Sequence, residues 1–342
     1  MDGRAALDYL AMDDARQMKL PLAAGVWAFV CLAGAFAGMW RGYGGPSFAV
    51  ALACFGALFA VQVGFAAEGV AERLAAALEP VRAALPLAPF LVYVAYAAGA
   101  GGASWSLIAV ALAYALAPGL LLLTAGSRDK GCWQDYAAVL CIWMPAEIHL
   151  LQTAFPFPAK GLSHPLWAAY AISVGLIAFL LIRRLDGIGY RVAWGRGWGF
   201  AVLANLAWFA TLAIVLGQWI GFIRFAPSWE RARALPLVAL GILVFNAWPE
   251  EFLFRGLIQN LLSSSLRSEV AGLLAASVIF GLAHLNNGPG PFPNWRYALL
   301  ATFAGLAYGS AWRKTRSTFA SALVHAGVNT LWFALFPTIP RG

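Results

Sequence analysis

Residues 245–262 (FNAWPEEFLFRGLIQNLL) lie among long uncharged segments, yet they carry two adjacent carboxylates and a guanidinium. An ionisable side chain at membrane depth costs several kcal/mol, so such a residue predicts a functional site. Successive helix residues point about 100° apart, which predicts that Glu250 and Glu251 face different directions. Glu251 and Arg255 stand four residues apart, the spacing at which a carboxylate and a guanidinium can pair. We therefore expect Glu251 and Arg255 to form a pair that orients the helix, and Glu250 to find partners elsewhere.

Two downstream segments supply candidate partners for Glu250. Residues 280–284 (FGLAH) end one apolar run, and residues 325–329 (HAGVN) lie inside another. His325 and Asn329 are again four residues apart, so they share one helix face. The chain has four histidines, and two of them fall at these positions. This favours one shared site over two unrelated packing residues.

The segments EEFLFR, FGLAH and HAGVN resemble, in this order, the EExxxR, FxxxH and HxxxN motifs of the CPBP family. This family of intramembrane proteases includes the CAAX prenyl endopeptidase Rce and bacterial bacteriocin-processing or immunity relatives. The resemblance covers roughly residues 245–335. It implies an integral membrane endopeptidase, expected in the bacterial inner membrane, in which Glu250 and His284 activate a water molecule.

The composition excludes a soluble protein. Of the 342 residues, 62% are hydrophobic and only 11% are charged, whereas about a quarter are charged in soluble domains. Several apolar runs reach the roughly 20 residues that a helix needs to cross a bilayer. We read the net charge of +8 as a bias of cytoplasmic loops rather than a nucleic-acid footprint, because no nucleic-acid-binding motif accompanies it.

The fold class predicted from these runs is an all-α polytopic membrane bundle with about eleven spans. Lysine and arginine are more frequent on one side of the predicted spans, which favours the N-terminus inside and the C-terminus outside. Residues 68–85 (EGVAERLAAALEPVRAAL) predict one amphipathic helix lying at the interface. The spans are predicted near residues 20–40, 46–67, 85–100, 105–125, 136–155, 166–182, 198–223, 235–262, 269–285, 296–312 and 318–337.

The motifs divide the chain into two predicted parts. Residues 1–230 carry none of the three motifs and are expected to hold transmembrane helices of unassigned role. Residues 231–342 are expected to form the protease core. The expected partners are the lipid bilayer and a membrane-associated polypeptide substrate, with no nucleic acid.

Hydrolysis of a peptide bond within a bilayer requires a water, a base, a proton donor for the leaving amine and donors for the oxyanion. Glu250 is the candidate base, and His284 could share the water with it. His325 and Asn329 could supply the donors that stabilise the tetrahedral intermediate. We expect Phe280 to be a packing residue that borders the site.

A metal-dependent mechanism is the main alternative within the enzyme hypothesis. Glu250, His284 and His325 could form a three-ligand zinc site with an open fourth position. The zincin motif HExxH is absent from the sequence. The resemblance favours a metal-free mechanism that depends on glutamate, so no cofactor is predicted.

Two further polar residues lie within an apolar run. Glu147 and His149 are two residues apart, so they point to nearly opposite sides of a helix, and Pro145 could kink it just before them. An internal polar contact is the favoured interpretation. A substrate-binding role, or a contact that supports the catalytic residues, is the alternative.

The rival functions from another class are a non-catalytic membrane binder of the immunity type and a proton-coupled transporter. A binder has no need for a base, histidines and an amide donor together. A transporter predicts inverted repeats or paired broken helices, which the sequence does not show clearly. The motif set therefore favours an intramembrane endopeptidase.

Overall fold

The computed structural model describes residues 16–101, 104–126, 128–159, 162–288 and 292–339. The chain divides into two compact units, the N-terminal unit (Gln17–Asp186) and the C-terminal unit (Gly187–Gly342, with Met1–Arg16). Helices make up most of the described residues. The strands are two residues each, β1 (Arg16–Gln17) and β2 (Ala193–Trp194).

The N-terminal unit is built from helices that follow its apolar runs. The last of them continues from an α-helix (His164–Leu176) into a π-helical stretch (Ile177–Ile182). A 3₁₀-helix covers Glu79–Ala84. The other α-helices are Leu20–Trp40, Gly45–Ala66, Val70–Ala77, Leu87–Ala100, Trp105–Ala125, Trp133–Glu147 and Leu150–Thr153.

The C-terminal unit contains a helix of 37 residues, Trp229–Ser265, which we call the glutamate helix because it carries Glu250 and Glu251. Its other helices are Trp198–Trp219, the His284 helix (Glu269–Leu282), the tyrosine helix (Trp295–Thr315) and the His325 helix (Thr318–Leu335). The unit begins at Gly187, so the helix Trp198–Trp219 is grouped with the motif-bearing helices.

Two π-helical stretches, Leu243–Ala247 and Phe252–Gln259, flank the two glutamates in the glutamate helix. Pro249 lies between them and has no N–H to donate to the carbonyl four residues earlier, so the regular ladder is interrupted beside it. π-Helical turns contain an extra residue and are frequent at functional sites. The glutamates therefore stand where the backbone departs from regular α-helix.

In the part of the chain that the structure describes, seven helices are long and apolar enough to cross a membrane, and two shorter apolar helices, Leu87–Ala100 and Glu269–Leu282, accompany them. This confirms the predicted polytopic helical fold. The count of eleven spans and the orientation stay predictions, and residues 1–15, on which the orientation partly depends, lie outside the described residues. The seven are Leu20–Trp40, Gly45–Ala66, Trp105–Ala125, His164–Ile182, Trp198–Trp219, Trp229–Ser265 and Thr318–Leu335.

Two predicted helices are interrupted. The predicted amphipathic helix is α-helical only over Val70–Ala77 and continues as the 3₁₀-helix Glu79–Ala84, which begins beside Pro80. The predicted span 136–155 breaks after Glu147, because His149 adopts a left-handed conformation with φ of 60°. Each interruption lies within four residues of a proline, a residue that destabilises the helix interior.

Arg183 and Asp135 form an ion pair in the N-terminal unit. Arg183 Nε lies 2.7 Å from Asp135 Oδ1, and Nη2 lies 3.3 Å from Oδ2. Nη2 also lies 2.8 and 3.2 Å from the carbonyls of Arg128 and Asp129, and Nη1 donates to the Gly126 carbonyl at 3.4 Å. Asp135 is fully buried, and a buried charge is costly unless it is paired. The Arg183 guanidinium compensates the charge of Asp135.

Candidate functional site

Glu250, His284, His325 and Asn329 all line one cavity of about 640 Å³ in the C-terminal unit. They come from the glutamate helix, from the turn after the His284 helix and from the His325 helix. The structure therefore brings together the four residues predicted to be catalytic, whereas their chemical roles stay predictions. The other polar residues that line this cavity are Arg231, Asn246, Asn287, Tyr297, Tyr308 and Thr338.

His325 lies between the two glutamates. Its Nδ1 is 2.9 Å from Glu251 Oε1, and its Nε2 is 3.9 Å from Glu250 Oε2. With the proton of a neutral ring on Nδ1, that nitrogen donates to Glu251, and Nε2 faces Glu250. The sequence grouped His325 with Asn329 as an oxyanion donor and did not predict its contact with Glu251.

Glu251 is fully buried, and each of its two oxygens has a partner. Oε2 lies 3.1 Å from Arg255 Nε and 2.5 Å from Ser321 Oγ, while Oε1 faces His325. The predicted pairing of Glu251 with Arg255 is thus present. Ser321 was missed, although it precedes His325 by four residues and so shares its helix face.

Arg255 is as buried as its partner, with 1% of its surface exposed. Its Nη2 donates to the Gly305 carbonyl at 3.3 Å, and its guanidinium carbon lies 4.6 Å from the centre of the Phe280 ring and 5.5 Å from that of Tyr308. Aromatic faces attract cations, so these rings replace part of the missing hydration. Phe280 is accordingly a packing residue that borders the site, as its position in the motif indicates.

His284 follows the end of its helix and is held by its own turn. Its Nδ1 lies 2.7 Å from the Phe280 carbonyl, and its ring packs against Phe280 and Tyr297 at centroid distances of 4.7 and 4.8 Å. A carbonyl can only accept a hydrogen bond, so Nδ1 carries the proton of the neutral ring. Nε2 is then the basic nitrogen available to a reactant.

Tyr308 stacks on His325 with a centroid distance of 4.5 Å and an interplanar angle of 13°. It is 2% exposed and lines the cavity beside Phe280. This stacking holds the plane of the imidazole, while Glu251 fixes its Nδ1 edge. Neither the motifs nor the spacing singled out Tyr308.

Two glycines allow the helices around the site to approach closely. A Cβ at Gly281 would lie 1.9 Å from Thr302 Oγ1, and a Cβ at Gly305 would lie 2.8 Å from Ser277 Cα. These glycines bring the His284 helix and the tyrosine helix into backbone contact, a common packing mode in membrane bundles. The positions of His284 and Tyr308 depend on that contact.

The described residues contain no group of three or more histidine, cysteine, aspartate or glutamate side chains placed to hold a metal ion. The contact of His284 Nδ1 with a backbone carbonyl leaves Nε2 free, an arrangement that metal-binding histidines also show. Glu250, His284 and His325 are not placed as a three-ligand group in the described residues. The metal-free mechanism stays a prediction, which removal of metal would test.

Glu147 and His149 lie in the N-terminal unit and have partners there. Trp143 Nε1 donates to Glu147 Oε2 at 3.1 Å, and Gln152 Nε2 lies 3.0 Å from His149 Nδ1. The residues that line the cavity belong to the C-terminal unit. These contacts support the interpretation as internal polar contacts, and a role in substrate binding stays a prediction.

Comparison with known families places the motifs in context. Residues 232–331 match the family model described as Rce1-like, type II CAAX prenyl endopeptidase Rce1-like. No curated protein and no solved structure matches the chain significantly. The match spans all three motifs and confirms the resemblance, and the family is one of CAAX-type intramembrane proteases.

Proposed function

Because residues 232–331 match the Rce1-like family model, we propose that the chain is an intramembrane endopeptidase whose water is activated by Glu250. One observation carries this proposal: a carboxylate, two imidazoles and an amide, from three separate segments, line the same cavity. A cavity that joins these groups has a base, a proton carrier and a donor for an oxyanion.

In the proposed reaction, Glu250 accepts a proton from water while the water oxygen attacks the scissile carbonyl carbon. Nε2 of His284 accepts a hydrogen bond from the same water and directs it. The carbonyl oxygen becomes an oxyanion, to which the side-chain amide of Asn329 donates. The abstracted proton then passes to the amide nitrogen as its bond to carbon breaks, leaving a carboxylic acid and an amine.

In this scheme, His325 can donate a hydrogen bond to the oxyanion or to Glu250. Glu251 holds its Nδ1, and Tyr308 holds its plane, so Nε2 is directed towards Glu250. In the protonated ring both nitrogens donate, so Nε2 can then donate to the oxyanion or to Glu250. Glu251 and Arg255 position His325 and take no part in bond making.

The proposed substrate is a membrane-associated polypeptide, and the proposed location is the bacterial inner membrane. Three of the helices that line the cavity, Trp198–Trp219, the glutamate helix and the His325 helix, are long and apolar enough to span a bilayer, which suits a substrate that arrives along the membrane. The family description names CAAX prenyl endopeptidases, so a prenylated C-terminal tail is the first substrate to test.

The test compares two glutamine variants of the full chain in lipid nanodiscs, with a prenylated CAAX peptide as substrate. Glu250→Gln keeps the shape of the side chain and removes the base, so we expect kcat to fall by about 10³-fold. Glu269→Gln is the matched control, because Glu269 is half exposed and paired with Arg316 on the surface.

Retained cleavage by Glu250→Gln would exclude the proposed mechanism. Chelator treatment of the unmodified protein is expected to leave kcat unchanged. Loss of activity with chelator, and its recovery with zinc, would instead establish the metal alternative at Glu250, His284 and His325.

A further inference from the structure

Positive charge collects at one end of the helices of the C-terminal unit, outside the cavity. Three segments form this end: the entry segment (residues 187–198), the first turn (264–269) and the second turn (312–319). They contain six cationic side chains and one carboxylate: Arg191, Arg196, Arg267, Arg313, Lys314, Arg316 and Glu269. None of these seven is among the described residues that line the cavity. The charge at this end is therefore separate from the candidate site.

Direct contacts join the three segments into one surface. The Thr318 N–H donates to the Gly189 carbonyl at 2.9 Å, which connects the second turn to the entry segment. The Arg316 guanidinium pairs with the Glu269 carboxylate, which connects the second turn to the first. The cations of the three segments therefore belong to one continuous part of the C-terminal unit.

Most of these cations have no bonded partner within the described residues. Arg316 is paired with Glu269, and Arg191 has an interaction as well. The side chains without a hydrogen bond or ion pair in the described chain, which we call the basic face, are Arg196, Arg267, Arg313 and Lys314. Arg313 is half-buried, and the other three are exposed. The basic face is thus a group of accessible cations without a carboxylate among them.

The opposite end of the same helices has less unpaired charge. There, Arg231 donates to two backbone carbonyls, and Arg296 Nη1 donates to a third at 3.1 Å. In the described part of that end, the exposed cations without a partner are Arg224 and Arg233, and the carboxylate of Glu230 is exposed and unpaired beside them. The two ends therefore differ in the net charge that they offer to a ligand, and the basic face offers more.

The basic face lies where spanning helices end. The helix Trp198–Trp219, the glutamate helix and the His325 helix are long and apolar enough to span a bilayer, and each has one end here. Arg196 precedes the first by two positions, Arg267 follows the second by two, and Lys314 precedes the third by four. At about 1.5 Å per helical residue, these cations lie within a few Å of the apolar spans, at headgroup depth. Trp194 is 42% exposed in the entry segment, and exposed tryptophan is typical of that depth.

Helix stability accounts for only part of the basic face. Arg313 and Lys314 lie in the last turn of the tyrosine helix, where the macrodipole favours a cation. Arg196 instead lies just before the start of a helix, where the macrodipole disfavours a cation. An anionic ligand beside Arg196 would compensate this unfavourable charge.

We propose that the basic face binds the phosphate groups of anionic phospholipids, of which phosphatidylglycerol is the probe. Guanidinium and ammonium groups form strong, charge-assisted hydrogen bonds with phosphate oxygens. The acyl chains of the same lipid would lie against apolar side chains such as Phe200, which is 77% exposed one helical turn after Arg196. This second contact favours a lipid over a soluble anion. The binding is independent of peptide hydrolysis and holds this end of the unit in the leaflet that is richer in anionic lipid.

Native mass spectrometry of the full-length protein in detergent tests the proposal, with phosphatidylglycerol and phosphatidylcholine of identical acyl chains. Each cation near a membrane surface increases the affinity for anionic lipid about fivefold. We expect the tightest site to prefer phosphatidylglycerol by at least about 25-fold, the effect of two such cations. The double substitution Arg196→Gln with Lys314→Gln should lower this preference about 25-fold, whereas Arg196→Lys with Lys314→Arg keeps both charges and should retain it.

Arg224→Gln with Arg233→Gln is the matched control. It also removes two exposed, unpaired cations, but at the opposite end of the helices. The preference for phosphatidylglycerol should then change by less than about threefold, because one charge-assisted contact alone contributes more than that.

Three results would overturn the proposal. The first is equal affinity of the unmodified protein for the two lipids. The second is an equal loss of preference in the control pair, which would show an effect of total charge. The third is displacement of phosphatidylglycerol by an equal concentration of glycerophosphoglycerol, the same headgroup without acyl chains, which would identify a soluble phosphate as the ligand. Cleavage is not measured, so failure of the proposed hydrolysis would leave this test unaffected.

Discussion

Each unit of the described chain buries an arginine–carboxylate pair, and the two pairs differ in what the carboxylate does next. In the N-terminal unit, Asp135 pairs with Arg183 and otherwise accepts from the backbone N–H of Gly131 at 2.9 Å. In the C-terminal unit, Glu251 pairs with Arg255 and also holds the imidazole of His325. The pair of Asp135 and Arg183 connects segments of the backbone. The pair of Glu251 and Arg255 instead positions the imidazole ring of His325.

The two guanidinium groups show the same difference. Arg183 bonds to three loop carbonyls besides the carboxylate. Arg255 bonds to one carbonyl and lies against the rings of Phe280 and Tyr308. Its Nη1 makes no hydrogen bond in the described chain, and its Nε lies 3.1 Å from Glu251 Oε2 without hydrogen-bond geometry. Unpaired buried donors are costly and often mark functional sites. Of the two pairs, the one in the C-terminal unit shares its carboxylate with a side chain that lines the cavity.

Of the substitutions that distinguish the two pairs, Glu251→Gln is expected to lower kcat the most. Without the carboxylate, His325 loses the acceptor that fixes its Nδ1 proton, and Arg255 keeps a buried charge. Removing a partner that orients a catalytic group typically costs 10- to 100-fold or more, so we expect kcat to fall by about 10²-fold. The measurement is kcat at saturating peptide, normalised by the folded fraction from size exclusion.

Asp135→Asn is the counterpart of this change in the N-terminal unit. Removing one partner from a buried pair destabilises a protein by about 3–5 kcal/mol, and we expect the lower end, about 3 kcal/mol, because Arg183 keeps its carbonyl partners. Thermal unfolding in nanodiscs measures the loss, and kcat per folded molecule should stay within about twofold. A fall in kcat as large as that of Glu251→Gln would remove the distinction between the pairs.

Ser321→Ala should have a smaller effect on the same carboxylate. Ser321 Oγ lies 2.5 Å from Glu251 Oε2 and 2.8 Å from the Tyr308 carbonyl, so its one proton is shared between them. Losing a hydrogen bond to a charged group costs about 1.5 kcal/mol, which predicts roughly a tenfold lower kcat. Ser277→Ala is the matched control, because that buried serine donates to the Leu273 carbonyl. Equal effects of the two substitutions would contradict a positioning role for Ser321.

The smallest expected effect is that of Glu147→Gln. Its carboxylate accepts from Trp143, and a glutamine carbonyl can accept the same bond. We expect kcat and KM of the prenylated peptide to change by less than about twofold, as for a surface substitution away from the site. A change of more than tenfold in either constant would support the alternative role of Glu147 in substrate binding.

Much of the fold could be predicted from the sequence, because apolar runs of this length have few structures open to them in lipid. Each predicted span falls on helical residues, and the pairing of Glu251 with Arg255 follows from their spacing on one helix. Interruptions were harder to predict. Periodicity does not distinguish α-helical from π-helical turns, and it does not show that the helix is interrupted at His149.

The rest of the site depends on packing between distant parts of the sequence. The contact between Glu251 and His325 joins residues 74 positions apart, so it depends on how the glutamate helix packs against the His325 helix. Arg231 could not be singled out in the sequence, because an arginine near a helix end is ordinarily an interfacial residue. Its position in the cavity follows from the pairing of residues 222–226 with the C-terminal segment.

The central claim is that Glu250 activates a water molecule that attacks the substrate directly. A single turnover in ¹⁸O-labelled water, with excess enzyme over prenylated peptide, tests it by mass spectrometry of the product and of Glu250. The account predicts one ¹⁸O atom in the new C-terminal carboxylate of the product and none in the Glu250 side chain. Label in Glu250, with an unlabelled product carboxylate, would show attack by the glutamate itself and would contradict the account.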